Sequence, residues 1–253
     1  MLFEINKLSK HFSGLVAVDQ LSMFVNEGEI MGLIGPNGAG KSTVFNLITG
    51  VLQPTEGTVK YNGKDITGKG PHIIAELGIG RTFQMNPLFS DFTVLENVVA
   101  SFQCRPKSSL FDIFFNTTTY RNNEASILKQ SIEILQLVGL YKVKDELAKN
   151  QPHGYQKMLG MARALAVKPK LLLLDEPLSG MNPEEIEFAM TAIRKTREQG
   201  VTIILVEHNM RVLELCDRVV VISFGEKIAE GLPQEVRDNE EVIRAYFGGH
   251  GSA

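Results

Sequence analysis

The sequence predicts an α/β fold in which a mostly parallel sheet is covered on both faces. Three observations predict it. Short apolar segments of strand length alternate with segments of helical periodicity. A glycine-rich loop joins an apolar strand directly to a helix near residue 40. The segment from about residue 88 to residue 166 has helical periodicity, which predicts a helical insertion in the α/β core.

The first part of the core is predicted to contain strands, one helix and one turn. Glycine readily takes the left-handed conformation that ends a helix, so the helix is expected to stop at Gly50. In chain order the elements are short strands from Leu2 to about Leu33, the apolar strand Ile30 to Ile34 after a turn at Asn26-Glu27-Gly28, a helix over Ser42 to Thr49, a turn over Pro54 to Gly57 and a strand over Thr58 to Tyr61.

The insertion and the second part of the core follow. Isoleucine and leucine recur at helical spacing in Glu124 to Val138, and helical periodicity appears again in Lys157 to Ala166. The aromatic and polar segment from Pro106 to Asn123 has no clear period and is left unassigned. The remaining elements are strands over Leu171 to Leu174, Val201 to Val206 and Val219 to Ser223, a helix over Pro183 to Gln199, and a last helix over Glu240 to Phe247 capped by Asp238-Asn239.

These elements predict a single domain over residues 1–253. Its core is expected to comprise residues 1–87 and 167–232, with the helical insertion over residues 88–166. Residues 233–253 are expected to form a C-terminal helix and tail.

Composition and charge exclude several classes of function. The chain has 253 residues, of which 43% are hydrophobic and 22% charged, and its net charge of -3 gives no sign of a nucleic-acid-binding surface. Its two cysteines, Cys104 and Cys216, form no Cys-x-x-Cys pair, which argues against a metal site or a disulfide framework. The first residues do not resemble a signal peptide and no run of 18 apolar residues occurs, so we expect a cytoplasmic protein that reaches a membrane only through a partner.

The most specific chemistry lies in the glycine-rich loop, which matches the pattern G-x-x-x-x-G-K-[ST] between a strand and a helix. Its glycines let main-chain N–H groups wrap a phosphate, and the helix N-terminus favours the negative charge. Lys41 is expected to contact the β- and γ-phosphates of a nucleotide, and Ser42 to bind Mg²⁺. The loop consists of Gly35, Pro36, Asn37, Gly38, Ala39, Gly40, Lys41, Ser42 and Thr43.

A second element places two adjacent carboxylates at the end of the apolar strand Leu171 to Leu174. Asp175 is expected to hold Mg²⁺, and Glu176 to act as general base for the attacking water. Taken alone, the pair fits equally well with two solvated acids in a turn before Pro177. Its combination with the phosphate-binding loop favours the catalytic interpretation.

Further segments follow the loop in order: Arg81-Thr-Phe-Gln84, Asp175-Glu176-Pro177, Ser179-Gly-Met-Asn-Pro183 and His208. In this order and spacing, the chain resembles the ATP-binding subunits of ABC transporters over essentially its whole length. The resemblance implies a P-loop NTPase, RecA-like core with a mostly parallel sheet, an N-terminal antiparallel β subdomain and an inserted α-helical subdomain. It also implies an ATPase that uses ATP and Mg²⁺ and closes around nucleotide as a dimer.

The resemblance assigns roles to three further residues. Gln84 would bind Mg²⁺ and sense the attacking water at the hinge of the helical insertion. His208 would contact the γ-phosphate, although a lone histidine after a strand is usually an ordinary loop residue. Phe12 stands where the family stacks an aromatic ring on adenine, for which only a π face is needed; the alternative is a core aromatic on an N-terminal strand.

The chain departs from the family at its signature segment, usually Leu-Ser-Gly-Gly-Gln or Leu-Ser-Tyr-Gly-Gln. Here Pro152, His153, Gly154 and Tyr155 stand in its place, so a proline replaces the serine that donates to the γ-phosphate across the dimer. Such a lost donor costs about a hundredfold to a thousandfold in rate. Because the signature serves the nucleotide of the other subunit, we hypothesise an asymmetric heterodimer with a second ABC ATPase, although a homodimer is possible.

The closest branch of the family is suggested by Val44-Phe-Asn-Leu-Ile-Thr-Gly50, Gly180-Met-Asn-Pro183 and Glu241-Val-Ile-Arg-Ala-Tyr-Phe-Gly248. These segments resemble the ATPase subunit of branched-chain amino-acid importers. Urea or amide importers share much of this pattern, and lipopolysaccharide-export ATPases share some of it. The resemblance implies transmembrane permease subunits as partners, an extracellular or periplasmic solute-binding protein as an indirect one, and a peripheral position on the cytoplasmic face of the membrane.

Contact with the permease is expected around Gln84 to Val98, where the apolar residues are Met85, Pro87, Leu88, Phe89 and Phe92. Packing inside the insertion is an equally good explanation for them. Two rival functions are a non-transport ABC ATPase acting on nucleic acid or the ribosome, and a regulatory subunit that binds ATP without hydrolysing it. The acidic balance argues against the first, and the intact Lys41, Asp175 and Glu176 argue against the second.

Overall fold

Two β-sheets and the helices between and beside them make up the core. In the computed structural model the described residues are 1–83, 88–102, 117–207 and 210–247. The strands are β1 (Phe3–Phe12), β2 (Leu15–Val25), β3 (Ile30–Ile34), β4 (Glu56–Tyr61), β5 (Lys64–Asp65), β6 (Ile79–Arg81), β7 (Leu171–Asp175), β8 (Thr202–Glu207), β9 (Arg218–Ser223) and β10 (Glu226–Gly231). The helices are α1 (Lys41–Ile48), α2 (Pro71–Glu76), α3 (Val94–Phe102), α4 (Thr118–Leu137), α5 (His153–Leu165), α6 (Pro183–Glu198), α7 (Pro233–Arg237) and α8 (Glu240–Phe247).

The larger sheet has six strands in the order β10-β9-β3-β8-β7-β6. All its neighbouring pairs are parallel except β9 and β10, which form an antiparallel edge. The predicted α/β class with a mostly parallel sheet is therefore confirmed.

Alternating side chains of this sheet enter two different apolar clusters. In β3, Ile30 and Ile34 face the cluster formed with α3 to α8, whereas Met31 and Leu33 face the opposite cluster. All five residues of β3 are buried, as in a strand covered on both faces.

The two faces of the larger sheet are covered in different ways. Helix α1 and the four-stranded antiparallel sheet β2-β1-β4-β5 lie on the second face, so a sheet as well as helices provides the cover. Phe3 and Ile5 on β1 point into this cluster together with Phe45 of α1. This arrangement is the N-terminal antiparallel β subdomain that the family resemblance implied.

Most predicted elements agree with the structure within a few residues, and α8 agrees at both ends. Strand β10 was not predicted. Its residues are only partly buried at the edge of the sheet, so they lack the apolar run that marks a central strand. Part of the segment that was left unassigned is helical. Helix α4 begins at Thr118, and the hydroxyl of Thr117 caps it by accepting the N–H of Tyr120. Residues 106–116 of the segment lie outside the described residues.

Within the described parts of the chain, no helix combines the length and the apolar character needed to cross a membrane. The proposed division into core, insertion and tail stays a prediction.

Candidate functional site

The carboxyl ends of four parallel strands meet at one edge of the larger sheet. Strand β3 leads into the glycine-rich loop, β7 ends at Asp175, β8 ends at Glu207 and β6 ends at Arg81. Because β8 lies between β3 and β7, the carboxylate of Glu207 is placed between the loop and Asp175. Crevices at this edge are where open α/β sheets bind their ligands.

At two positions of the loop a side chain would clash with neighbouring main chain, so glycine is required there. A Cβ atom on Gly35 would lie 2.1 Å from the carbonyl oxygen of Ile222, and one on Gly40 would lie 2.4 Å from that of Ala17. Gly40 also has φ +101°, which L side chains rarely adopt, and it is the residue just before α1. The main chain of the loop is therefore held tightly against β2 and β9.

Lys41 is buried, with 6% of its surface exposed. Its Nζ donates to the carbonyl oxygens of Gly35 at 2.6 Å and Pro36 at 2.8 Å, inside the curve of the loop. Burial lowers the pKa of Lys41, and the carboxylates of Glu176, Glu207 and Asp175 partly offset this. A partly desolvated cation in this position suits an anionic phosphate.

The remaining loop residues differ in how accessible they are. Asn37, Gly38 and Ser42 are exposed, whereas Ala39 is buried and its carbonyl oxygen accepts the N–H of Gly225 at 3.0 Å. Pro36 and Thr43 are half-buried. A phosphate can thus reach the tip of the loop and the Ser42 hydroxyl from solvent.

Asp175 is held by two contacts from β6 and the residue after it. Its Oδ2 lies 3.0 Å from Nη2 of Arg81, and its N–H donates to the buried hydroxyl of Thr82 at 3.0 Å. Burial raises the pKa of Asp175, while the hydrogen bond and the charge of Arg81 oppose that rise.

The other carboxylate oxygen of Asp175, Oδ1, is buried and makes no hydrogen bond with the described residues. A buried acceptor of this kind suits a cation, and Mg²⁺ usually takes one or two protein oxygens together with substrate phosphates and water. No group of three or more potential His, Cys, Asp or Glu ligands occurs among the described residues. The donors Ser42 and Asp175 therefore fit Mg²⁺ bound together with a nucleotide.

Glu176 adopts a left-handed backbone conformation with φ +46°, which is uncommon for a residue other than glycine. Two contacts hold it there: its N–H donates to Val206 at 2.9 Å, and its carbonyl oxygen accepts from Nζ of Lys157 at 2.6 Å. Such strain costs about 1–3 kcal/mol and clusters at functional sites. The turn is held by β8 on one side and α5 on the other.

Three residues near this edge were not singled out from the sequence. Glu207 is fully buried and its Oε1 accepts the N–H of Leu178 at 2.7 Å, while Arg81 pairs with Asp175 and Lys157 binds the Glu176 turn. Glu207 carries the same signal as Asp175, namely a carboxylate directly after an apolar strand. Lys157 had no such signal, because its contacts are distant in sequence.

Phe12 lies at the end of β1 with 41% of its surface exposed, so it is not a core aromatic. Nζ of Lys10 lies 5.0 Å from the centre of its ring. The exposed ring leaves a π face for a base, which is compatible with the expected stacking on adenine.

The signature segment begins α5. Pro152 is the residue before the helix and makes no side-chain capping hydrogen bond; Pro152 and His153 are exposed. Gly154 is buried and its N–H donates to Oε1 of Glu185 at 3.0 Å. The ring of Tyr155 stacks on Phe188 of α6, with centroids 5.0 Å apart, so this side chain packs within its own subunit.

Gln84 and His208 lie outside the described residues. The structure therefore brings together the loop, Asp175 and Glu176, and it places the signature segment at the start of α5. The roles proposed for all these residues stay predictions.

The geometry agrees with what comparisons with known proteins find. Residues 18–179 match the model of the ABC transporter family, and residues 226–252 match a second model described as branched-chain amino acid ATP-binding cassette transporter. The chain is 39% identical to the high-affinity branched-chain amino acid transport ATP-binding protein LivG of Salmonella typhimurium and 37% identical to BraF, of the same description, from Pseudomonas aeruginosa. Each match covers 98% of both chains.

A solved ATP-binding cassette of an ABC transporter, in its ADP conformation, superposes with a TM-score of 0.86. It is 32% identical in sequence, and the match covers 98% of each chain. ATP-binding cassettes of this family bind nucleotide, hydrolyse ATP and work as dimers with membrane permeases. The chain belongs to the ABC transporter family, as one of its ATP-binding ATPase subunits.

Proposed function

We propose that this chain powers the import of branched-chain amino acids, as the ATP-hydrolysing subunit of an ABC importer. The observation that carries the proposal is the likeness to LivG and BraF, which extends over 98% of the chain and includes the separate C-terminal match at residues 226–252. The groups at the sheet edge support ATP hydrolysis.

Each group at the sheet edge has a role in this proposal. The main chain of Gly38 to Lys41 encloses the phosphates, and Nζ of Lys41 moves from its carbonyl partners to the β- and γ-phosphate oxygens. Asp175 and Ser42 hold Mg²⁺ with Gln84, and the bound ion supplies charge neutralisation of the phosphate oxygens. Glu176 accepts a proton from the attacking water, and His208 steadies the γ-phosphate. Phe12 stacks on the adenine.

We also propose a heterodimer. Because Pro152 has neither a hydroxyl nor an N–H, the signature of this chain is a weak donor toward the phosphate of the opposite nucleotide. An intact signature from a second ATPase would complete the site of this chain. The purified chain alone should then hydrolyse ATP slowly, and the complex with its partner should be at least about tenfold faster per site. Rapid hydrolysis by a homodimer would contradict the heterodimer.

Contact with the permease is proposed at the segment before and within α3. Phe89 and Phe92 are exposed and their ring centroids lie 5.2 Å apart, whereas Leu88, Val94 and Val98 pack within the subunit. Met85 and Pro87 lie outside the described residues. Among the described residues of this segment, Phe89 and Phe92 remain as candidate anchors, whereas Leu88, Val94 and Val98 serve the insertion itself. Phe89 and Phe92 would grip a cytoplasmic helix of the permease, so that closure of the ATPase dimer moves it.

The test is to purify the complex through a tag on this chain from its native membrane and to reconstitute it in liposomes. The solute-binding protein encoded with it is then added with leucine, valine, urea or no solute, and ATP hydrolysis is measured. The proposal predicts copurified permease subunits and hydrolysis stimulated by leucine and valine.

If urea stimulates ATP hydrolysis and leucine and valine do not, the transported solute is an amide and not a branched-chain amino acid. Recovery of lipopolysaccharide or nucleic acid in place of an importer would contradict the proposal. A complex that binds ATP but never hydrolyses it would favour the regulatory alternative. The Lys41→Ala variant of the same complex is the control, because it should abolish any stimulation.

A further inference from the structure

The carboxylate of Glu185 joins the signature segment to the start of α6. Its Oε1 accepts the N–H of Gly154 at 3.0 Å, and its Oε2 accepts the N–H of Asn182 at 3.0 Å. In return, the N–H of Glu185 donates to Oδ1 of Asn182 at 2.9 Å, which completes a capping box on α6. Of these three hydrogen bonds, only the one with Gly154 joins α6 to another element.

Gly154 is the second residue of α5, so its N–H has no partner inside the helix. The first N–H groups of a helix attract anions, and here the anion is a side chain of the same subunit. Hydrogen bonds from the N–H groups of Asn182 and Gly154 lower the pKa of Glu185, which keeps the carboxylate charged.

The approach is close enough to depend on glycine. A Cβ atom at residue 154 would lie 2.9 Å from Cβ, Cδ and Oε1 of Glu185. The carboxylate therefore occupies the space directly over the main chain of Gly154. A phosphate oxygen approaching the same N–H would meet both the occupied volume and a negative charge.

We propose that Glu185 competes with the γ-phosphate of the opposite nucleotide for the N–H of Gly154, and so restrains closure of the dimer at this signature. The inference rests on the proposed function, in which the signature faces the nucleotide of the partner ATPase. Pro152 adds no N–H or hydroxyl donor here, so Gly154 carries more of the contact than it would beside a serine. Closure requires the Glu185 carboxylate to leave Gly154, which costs a charge-assisted hydrogen bond.

The test uses the transporter complex purified through this chain, with its partner ATPase and permease. Glu176→Gln is introduced first to silence the site of this chain, so that the remaining turnover comes from the partner's nucleotide. Single-turnover hydrolysis of labelled ATP is then compared for Glu185→Ala, Glu185→Gln and the control Glu184→Ala. Glu184 lies in the same first turn of α6 and is exposed.

Losing one charge-assisted competitor should raise the rate about threefold to tenfold in Glu185→Ala. The ATP concentration for half-maximal rate should fall in parallel. Glu185→Gln should give a smaller rise, because its single amide oxygen can still accept from the N–H of Gly154, although it cannot replace both carboxylate oxygens. Glu184→Ala should stay within about twofold of the background, since this side chain does not contact Gly154.

Melting temperatures separate this account from a purely structural role for Glu185. If Glu185→Gln melts like the background and its rate is unchanged or lower, the inference is overturned. If Glu185→Ala has a lowered melting temperature, its rate is set aside and the rate of Glu185→Gln tests the inference. A complex with Glu176 intact that fails to hydrolyse ATP would instead overturn the proposed function, independently of Glu185.

Discussion

In the proposed dimer, each nucleotide lies between the sheet edge of one subunit and the signature segment of the other, and this chain builds these two regions differently. At the sheet edge, charged groups are buried and held by bonds within the subunit: Lys41 is 6% exposed, Asp175 is 5% exposed and Glu207 is fully buried. At the signature, Pro152 and His153 are exposed and Gly154 is bound to a carboxylate of its own subunit.

This difference shows where the chain is complete and where it depends on a partner. At the edge, Lys41 and Asp175 are held in place by hydrogen bonds within the subunit. The signature lacks the serine donor, and its glycine N–H is engaged. In the proposed heterodimer, we therefore expect catalysis mainly at the nucleotide held by this chain's own loop.

The largest expected effect is at the edge. Lys41→Ala removes the buried cation aimed at the phosphates, and ATP hydrolysis at this chain's site should fall at least about a hundredfold. Nucleotide affinity, measured by fluorescence titration with Mg-ATP, should fall as well. Lys129→Ala is the matched control, because its side chain is 79% exposed on α4. If Lys41→Ala binds Mg-ATP as tightly as the wild type, the sheet edge is not the nucleotide-binding site.

Repairing the signature should have the next largest effect. In a complex with Glu176→Gln, Pro152→Ser restores a hydroxyl and an N–H and should raise hydrolysis of the partner's nucleotide by about ten- to a hundredfold. Pro152→Ala restores the N–H without the hydroxyl and should give a smaller gain. Equal rates in the Glu176→Gln background and in its Pro152→Ser and Pro152→Ala derivatives would show that Pro152 does not weaken the signature.

A smaller effect is expected where Phe12 is proposed to stack on the adenine of ATP. Phe12→Ala removes an exposed ring and should weaken ATP binding by about tenfold, since stacking of a base on an aromatic ring contributes about 1–3 kcal/mol. Phe12→Tyr keeps the π face and should bind like the wild type. If GTP and ATP titrations of Phe12→Ala match those of the wild type, Phe12 does not contact the base.

The smallest effect concerns pH and the buried lysine. The ordinary pKa of a lysine is 10.5, and burial lowers the pKa of Lys41 in the folded chain. As the pH rises, the folded state therefore loses this proton at a lower pH than the unfolded state does. The free energy of unfolding should therefore rise with pH between the lowered pKa and about 10.5, and this rise should be weaker in Lys41→Met. Urea unfolding of the nucleotide-free chain at pH 8 and pH 10 measures it. Identical slopes would indicate that Lys41 is not desolvated.

Local signals in the sequence predicted much of the fold. The strands that precede the loop and Asp175 are unbroken apolar runs, and α8 follows Asn239, whose side chain caps it by accepting the Glu241 N–H at 2.8 Å. The loop was predicted because its glycines and lysine stand in one short stretch. All these features depend on neighbours within a few residues.

Contacts between distant segments could not be predicted in the same way. Lys157 and the Glu176 turn are 19 residues apart, Arg81 and Asp175 are 94 apart, and Gly154 and Glu185 are 31 apart. Nothing in the local pattern of either partner marks such a pair. Strand β10 was missed for a related reason, because an edge strand is stabilised by its neighbour and shows only a weak apolar pattern of its own.

The most direct test compares the two nucleotide sites within one complex. Steady-state ATP hydrolysis is measured with Glu176→Gln in this chain, and separately with the equivalent glutamate of the partner ATPase changed to glutamine. The account predicts that the change in this chain lowers turnover by more than about tenfold, while the change in the partner leaves most of it. Equal losses from the two changes, or a larger loss from the partner's, would contradict the assignment of catalysis to this chain's own loop.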